Sequence, residues 1–248
     1  MGIYEQDQDK LSITDYAKAE TFDDAAQLFA FLGSERFRAG RWVFRGHADA
    51  DWSLCPTLER FAASINELPR AVETYVEREF RRRAHHYVVD TPGIGDSRLD
   101  WLALMRHHQA PSRLLDCTRS PYVAAFFASA EASLKGSAAI WAFDCQALKH
   151  YAAVLLCDQS MSVAKKEVGR RCLSGGESFS DPEIFSIITA DGPDARVVVP
   201  VERFRTNERM LLQRGIFLCP NSFFVKFEHS LKNVVRAAKG RPKNKITW

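Results

Sequence analysis

The sequence predicts a single α+β domain, and three observations carry that expectation. The chain has 248 residues, within reach of one large domain at about 100–200 residues per domain. Helical signatures crowd its first half and short β-rich runs its second, the segregation expected of an α+β fold. Hydrophobic residues make up 46% and charged residues 26%, ordinary globular values that exclude a wholly disordered chain.

The elements run in order along the chain. Asp24 before AAQLFAFL, with Gly33 behind it, reads as a capped helix. Arg41 to Gly46 reads as a short strand halted by glycine, and Asp51 to Pro56 as extended or turn-like. Leu68 to Tyr87 is helical, with Val72, Tyr75, Val76, Phe80 and Ala84 assigned to one face. Thr91 to Asp96 is a loop. A helix from Leu99 to His108 turns at Gln109-Ala110-Pro111 into a candidate strand, Ser112 to Asp116. Pro121 occupies a first-turn position and opens the apolar helix YVAAFFASA. Ala138 to Phe143, Val197 to Val201 and Ile216 to Cys219 read as strands. Cys157 to Ser180, rich in Lys, Arg and Gly, offers no clear period. The organisation expected is a helical lead-in over 1–40, a main body over 41–225 and a basic tail over 226–248.

The net charge is +3. Seven Lys/Arg and one Glu fall between Lys226 and Trp248, so the tail carries +6 and the rest of the chain −3. A globally basic surface is therefore excluded. The tail reads either as a solvated end or as a contact for nucleic acid. No apolar run approaches the roughly 20 residues that a membrane helix needs, and MGIYEQDQDK has no signal-peptide pattern, so the expectation is a cytoplasmic protein without membrane contact. The six cysteines show neither C-x-x-C spacing nor a zinc pattern with histidine. Six reduced thiols and no metal site are expected.

Three segments offer chemistry. Arg45 after Phe44 and before Gly46 combines a bidentate phosphate donor with a residue that allows close backbone approach; a surface ion pair is the plainer reading. Asp116, Thr118 and Ser120 present carboxylate and hydroxyls at a helix N-terminus, where they either meet a ligand or cap the helix. Arg205 to Phe217 runs from charged residues into an apolar strand and holds Glu208, Arg209 and Gln213. The pairs His85-His86 and His107-His108 are adjacent, so each pair diverges on a helix and makes no metal site. Cys117 would need a neighbouring base to serve as a nucleophile.

WVFRG, the later WSL and PTLER, and above all LALMRHHQAPSRLLDCTRSPYVAAFFA resemble the bacterial FRG-domain family, named for its Phe/Tyr-Arg-Gly motif. Ser112 stands where that family usually has threonine, and Cys117 where it has tryptophan. Asn207 to Phe217 resembles its later arginine-and-Gln-x-Gly-x-Phe segment, so the likeness spans about Arg41 to Phe217, within the 41–225 body.

A more distant resemblance is to ADP-ribosyltransferases of the arginine-serine-glutamate type, and it implies a split β-sheet core. By that likeness Arg45 binds NAD phosphate and ribose, and Gly46 holds the nicotinamide amide. Phe44, Asp116, His107, His108 and Arg113 flank the substrate, and Thr118 orients the third motif. Arg209 stands at the usual glutamate position, where a cation opposes an oxocarbenium-like state; Glu208 is one register away, and Gln213 is a ribose partner without charge.

The activity implied is cleavage of NAD with transfer of ADP-ribose to a protein or nucleic acid, or hydrolysis of NAD, in a toxin or anti-phage effector. NAD is then the substrate and no metal is required. Two alternatives share the fold: an RNA 2′-phosphotransferase using arginines and histidines, and a non-catalytic module that senses a nucleotide or a partner.

Overall fold

The computed structural model describes residues 12–38, 40–86, 97–130, 136–175, 177–190, 192, 194–202 and 214–239. Its centre is a five-stranded sheet of β1 (Trp42–His47), β2 (Leu115–Thr118), β3 (Ala139–Asp144), β4 (Val198–Val201) and β5 (Gly215–Pro220). The spatial order is β3-β1-β2-β5-β4, and every neighbouring pair is antiparallel. The fold is a single α+β domain, as the sequence predicts.

The helices are α1 (Ala25–Leu32), α2 (Glu35–Arg38), α3 (Thr57–Ser64), α4 (Pro69–Arg83), α5 (Arg98–His107), α6 (Pro121–Ala130), α7 (Cys145–Leu156), α8 (Val163–Leu173), α9 (Pro182–Thr189) and α10 (Phe227–Lys239). The expected segregation of helices and strands does not hold, because α7 to α10 all lie in the second half. The side chains of α7 are largely buried, which leaves it only a narrow polar stripe at Gln146, Lys149 and His150. In α8, Gly169 marks packing and not a loop: a Cβ there would lie 2.7 Å from the Ala153 carbonyl oxygen of α7.

The basic tail also needs correction. Its first part is α10, which buries Phe227, Leu231, Val234 and Val235 against α7 and β4. Arg236 and Lys239 ride on the outer side of this amphipathic helix while Lys232 is buried, and residues 240–248 lie outside the described residues. In α4, Val72 is buried while Tyr75 is exposed. Residues 72, 76, 80 and 84 share a face at i,i+4 spacing, which turns Tyr75 outward beneath the Arg78 guanidinium.

Two features of the sheet decide where the fold opens to a ligand. β1 pairs with β3 at six positions, but with β2 at one register position alone, Phe44↔Thr118. Beyond that position β1 and β2 part. Helix α6 then crosses from β2 to β3 and lies directly on β1. At Gly46 a Cβ would sit 2.0 Å from the Ala124 carbonyl oxygen and 2.6 Å from the Ala128 nitrogen. Only glycine permits this approach.

Candidate functional site

A cleft of about 1080 Å³ opens where β1 and β2 part. This is at the upper end of the roughly 300–1,000 Å³ typical of small-molecule sites. Its walls come from the end of β1 and the loop after it (Arg45 to Ala48, Trp52, Ser53, Cys55), the start of α3 (Thr57, Arg60) and the end of α5 (Ala103, Arg106, His107). The rest comes from β2 (Asp116 to Thr118), α6 and the start of β5.

Arg45 occupies the gap between the parting strands. Its Nη1 donates to the Asp116 carbonyl oxygen at 2.7 Å, replacing the ladder bond that the two backbones no longer make. Its Nε donates to His47 Nε2 at 2.9 Å, which fixes the guanidinium in plane. Burial, foremost, draws the Arg45 pKa below the ordinary arginine value, with Arg106 and Arg60 adding to it and Asp116 opposing. The group stays charged, since arginine is not deprotonated in proteins. Burial first, and then the Arg45 charge, push the His47 imidazole down to about 4. His47 is therefore neutral near pH 7 and accepts from Arg45.

Arg106 approaches from α5, its Nε donating to Asp116 Oδ2 at 2.7 Å and its Nη2 lying 2.5 Å from the same oxygen. Arg60 approaches from α3, with Nη1 on the Cys55 carbonyl oxygen at 2.6 Å. Among the described lining residues Asp116 is the one carboxylate. Three guanidiniums against one carboxylate leave a surplus of two positive charges. Trp52, Phe126 and Phe127 add aromatic walls.

The turn that places Arg106 and Asp116 together is built by local backbone rules. Helix α5 ends at His108 with Gln109 at a φ of 62°. The Gln109 N–H donates to the Arg106 carbonyl and the Ala110 N–H to the Met105 carbonyl. This is a Schellman ending, and Pro111 prevents the helix from continuing. Ser112 is fully buried; its N–H donates to Thr57 Oγ1 and its hydroxyl to the Leu102 carbonyl. Those bonds delay β2 to Leu115, three residues after the expected start.

The residues singled out in the sequence separate into four groups. Arg45, Gly46, His107, Asp116 and Thr118 meet at the cleft. Phe44 contributes to its floor, but its ring is buried 5.3 Å from that of Phe37. Arg113 and His108 need correction as substrate contacts. Arg113 is buried away from the cleft, bonded through Nη2 to Glu73 Oε2 at 2.5 Å and lying over the Phe223 ring. His108 ends α5 and packs beside Phe80. Glu208, Arg209 and Gln213 lie outside the described residues.

Ser120 realises the capping alternative for α6, and Thr118 closes a turn just before it. Thr118 Oγ1 accepts from the Ser120 N–H at 3.0 Å, and Ser120 Oγ from the Val123 N–H at 3.4 Å. Burial pushes the Cys117 thiol up to about 12, which makes it a poor nucleophile. Arg119 ties the cleft to the far edge of the sheet: its guanidinium pairs with Glu202, and its N–H donates to the Arg214 carbonyl at 3.0 Å.

Sequence reading missed Arg60, Arg106 and His47 as site residues. Arg60 closes the PTLER string and Arg106 lies inside the long central string, but nothing in the spacing shows that α3 and α5 converge on Arg45. His47 had a signal: it alternates with Arg45 on β1, so the two side chains share a face.

Residues 40–136 match the family model of the FRG domain. No curated protein and no solved structure matches the chain. The matched range holds β1, β2, α3 to α6 and all three cleft arginines, so most of the cleft lining lies within it. Among the described residues, no helix is long and apolar enough to cross a membrane, and no group of three His, Cys, Asp or Glu is placed to hold a metal ion.

Proposed function

We propose that the cleft binds NAD, and that the protein cleaves the nicotinamide–ribose bond and transfers ADP-ribose to a macromolecule or to water. The observation that carries this reading is the convergence of Arg45, Arg60 and Arg106 on a dinucleotide-sized cleft at the parting of β1 and β2. Pre-oriented guanidiniums suit a pyrophosphate, and Trp52, Phe126 and Phe127 offer ring faces to a base. The order of motifs along the chain supports an ADP-ribosyltransferase-like core. In the reaction the C1′–N bond breaks and its electron pair leaves with nicotinamide. The acceptor's nucleophile then bonds to C1′ and loses its proton. By the sequence reading the anionic group for this step is Glu208, one register from the position that Arg209 occupies, or Asp116.

One observation favours a second reading, nucleotide binding without turnover. Asp116, the one carboxylate among the described lining residues, is held by Arg106 and is not available to a developing cation.

Calorimetric titration with NAD and an assay of nicotinamide release, with and without cell lysate, separate the two. The reading requires that wild-type protein bind NAD and release nicotinamide, and that Arg45→Ala and Arg60→Ala each reduce both. Binding without release under either condition would establish the second reading, and failure to bind NAD would overturn both. Arg60 makes one backbone bond at the surface, so its variant keeps the test valid if Arg45→Ala folds poorly.

A further inference from the structure

We infer that a single-stranded nucleic acid docks along an aromatic ridge leading into the cleft, its bases on the rings of Phe29, Tyr122 and Phe126 and its phosphates toward the arginines. This rests on the reading of the cleft as a nucleotide site and names the macromolecule presented to it.

Helix α6 divides its side chains three ways. Ala124 and Ala128 lie against Gly46, and Val123 and Phe127 line the cleft. Tyr122 and Phe126, one turn apart, lie on a common face about 6 Å apart along the axis. Both are open to solvent, at 50% and 63%. Phe29 of α1 extends the row: its ring stacks on Tyr122 with centroids 6.0 Å apart and planes 25° apart, and it is also exposed. Phe126 belongs to both surfaces, since it also lines the cleft and meets Phe127 edge-on at 5.6 Å. The ridge and the arginine cleft are therefore continuous.

The side chains identify the occupant. All the exposed apolar groups of the ridge are aromatic, and it ends at a site with a surplus of two positive charges. Aromatic platforms that run into cationic grooves suit single strands, because every base has a π-face and every linkage a phosphate. Charge surplus in the cleft argues for a polyanion over an apolar protein face or a neutral membrane surface.

Fluorescence anisotropy with labelled oligothymidylate and oligouridylate of about 12 nucleotides tests the inference, with intact folding of each variant checked by thermal melting. Wild-type protein is expected to bind at least one of them, with affinity falling as salt rises. Tyr122→Ala and Phe29→Ala are each expected to weaken binding about fivefold or more, while Tyr122→Phe keeps the ring and the affinity. The difference between the two oligonucleotides shows whether the strand is DNA or RNA. Absence of binding to both, or equal affinity in wild type and both alanine variants, overturns the inference. So does binding to phosphatidylcholine vesicles, or self-association, that is lost in Tyr122→Ala while no oligonucleotide binds. Wild-type protein that binds NAD but no oligonucleotide refutes the ridge and leaves the cleft reading intact. Ring-dependent oligonucleotide binding without NAD binding upholds the ridge and refutes NAD.

Discussion

Gly46→Ala tests whether the glycine of the family motif serves packing or ligand approach. A Cβ at this position lies 2.0 Å from the Ala124 carbonyl oxygen and 2.6 Å from the Ala128 nitrogen, against a practical minimum near 3.0 Å. Both obstacles are helix backbone, so no rotamer change relieves them. Helix α6 and β1 must part by about 1 Å, which also unpacks the fully buried Phe44 and Ala124. Overpacking costs typically 1–3 kcal/mol and occasionally more, and a backbone clash belongs at the top of that range, at about 3 kcal/mol. For a chain of this size each kcal/mol moves Tm by roughly 2–4 °C, so a fall of about 6–12 °C is expected in calorimetry, with a matching loss in urea unfolding. Gly33→Ala is the control. Its Cβ would meet the Tyr122 hydroxyl at 3.1 Å and the Phe29 carbonyl oxygen at 3.2 Å, contacts that small shifts relieve, at a cost of about 1 kcal/mol or less. If Gly46→Ala costs no more than Gly33→Ala, the close approach of α6 is not what requires glycine.

Two further predictions concern buried charge. Glu73 is fully buried and takes bonds from Arg113 and Arg98; Glu73→Gln should cost about 3–5 kcal/mol in urea unfolding by leaving Arg113 unpaired, and a loss under about 1 kcal/mol would refute the pairing. His47 titrates near 4 in the fold, through burial first and the Arg45 charge second, against about 6.5 when unfolded. The unfolded chain therefore gains a proton between pH 6.5 and 4 that the folded chain does not, and stability should fall by about 3 kcal/mol as pH falls through that window. Unfolding measured across it should show this slope in wild type and its loss in His47→Gln; equal slopes would refute the assignment.

The sequence was readable wherever one residue type has one physical use. Asp24 caps α1 through the Ala26 N–H at 2.9 Å, Pro121 opens α6, and the apolar runs became β3, β4 and β5. It misled where burial erased the pattern. Helix α7 leaves only a narrow polar stripe at Gln146, Lys149 and His150, Gly169 resembles a loop residue until the helix against it is known, and the cations of α10 hide four buried apolar residues. The site divides in the same way. Arg45 and Gly46 stand out as an Arg-Gly pair on a short strand, which runs on to His47 and is not halted by the glycine, and Asp116 stands out as a carboxylate between two apolar runs. Arg60 and Arg106 come from helices 46 residues apart in the chain, and only the fold shows that both face Arg45. Arg113 shows the converse: an arginine in the most distinctive motif of the chain serves the core.

Arg45 then poses the question of whether it holds the fold or holds a ligand, and the geometry says that one requires the other. The cleft exists because β1 and β2 stop pairing after Phe44↔Thr118, and that parting leaves the Asp116 carbonyl without a strand partner. Arg45 supplies the missing donor, and His47 fixes its plane. Arg45→Lys separates the two roles. Lysine keeps the positive charge but is a compact point donor that cannot bridge both acceptors. Leaving one of these acceptors unsatisfied costs about 1–3 kcal/mol, so stability should fall by about 2 kcal/mol in urea unfolding. Affinity for pyrophosphate, measured by calorimetry, should fall less than in Arg45→Ala, because Arg60, Arg106 and the new ammonium keep the charge of the cleft. The opposite outcome, unchanged stability with anion binding as weak as in Arg45→Ala, would mean that the planar fork serves the ligand alone and that another group holds the parted strands.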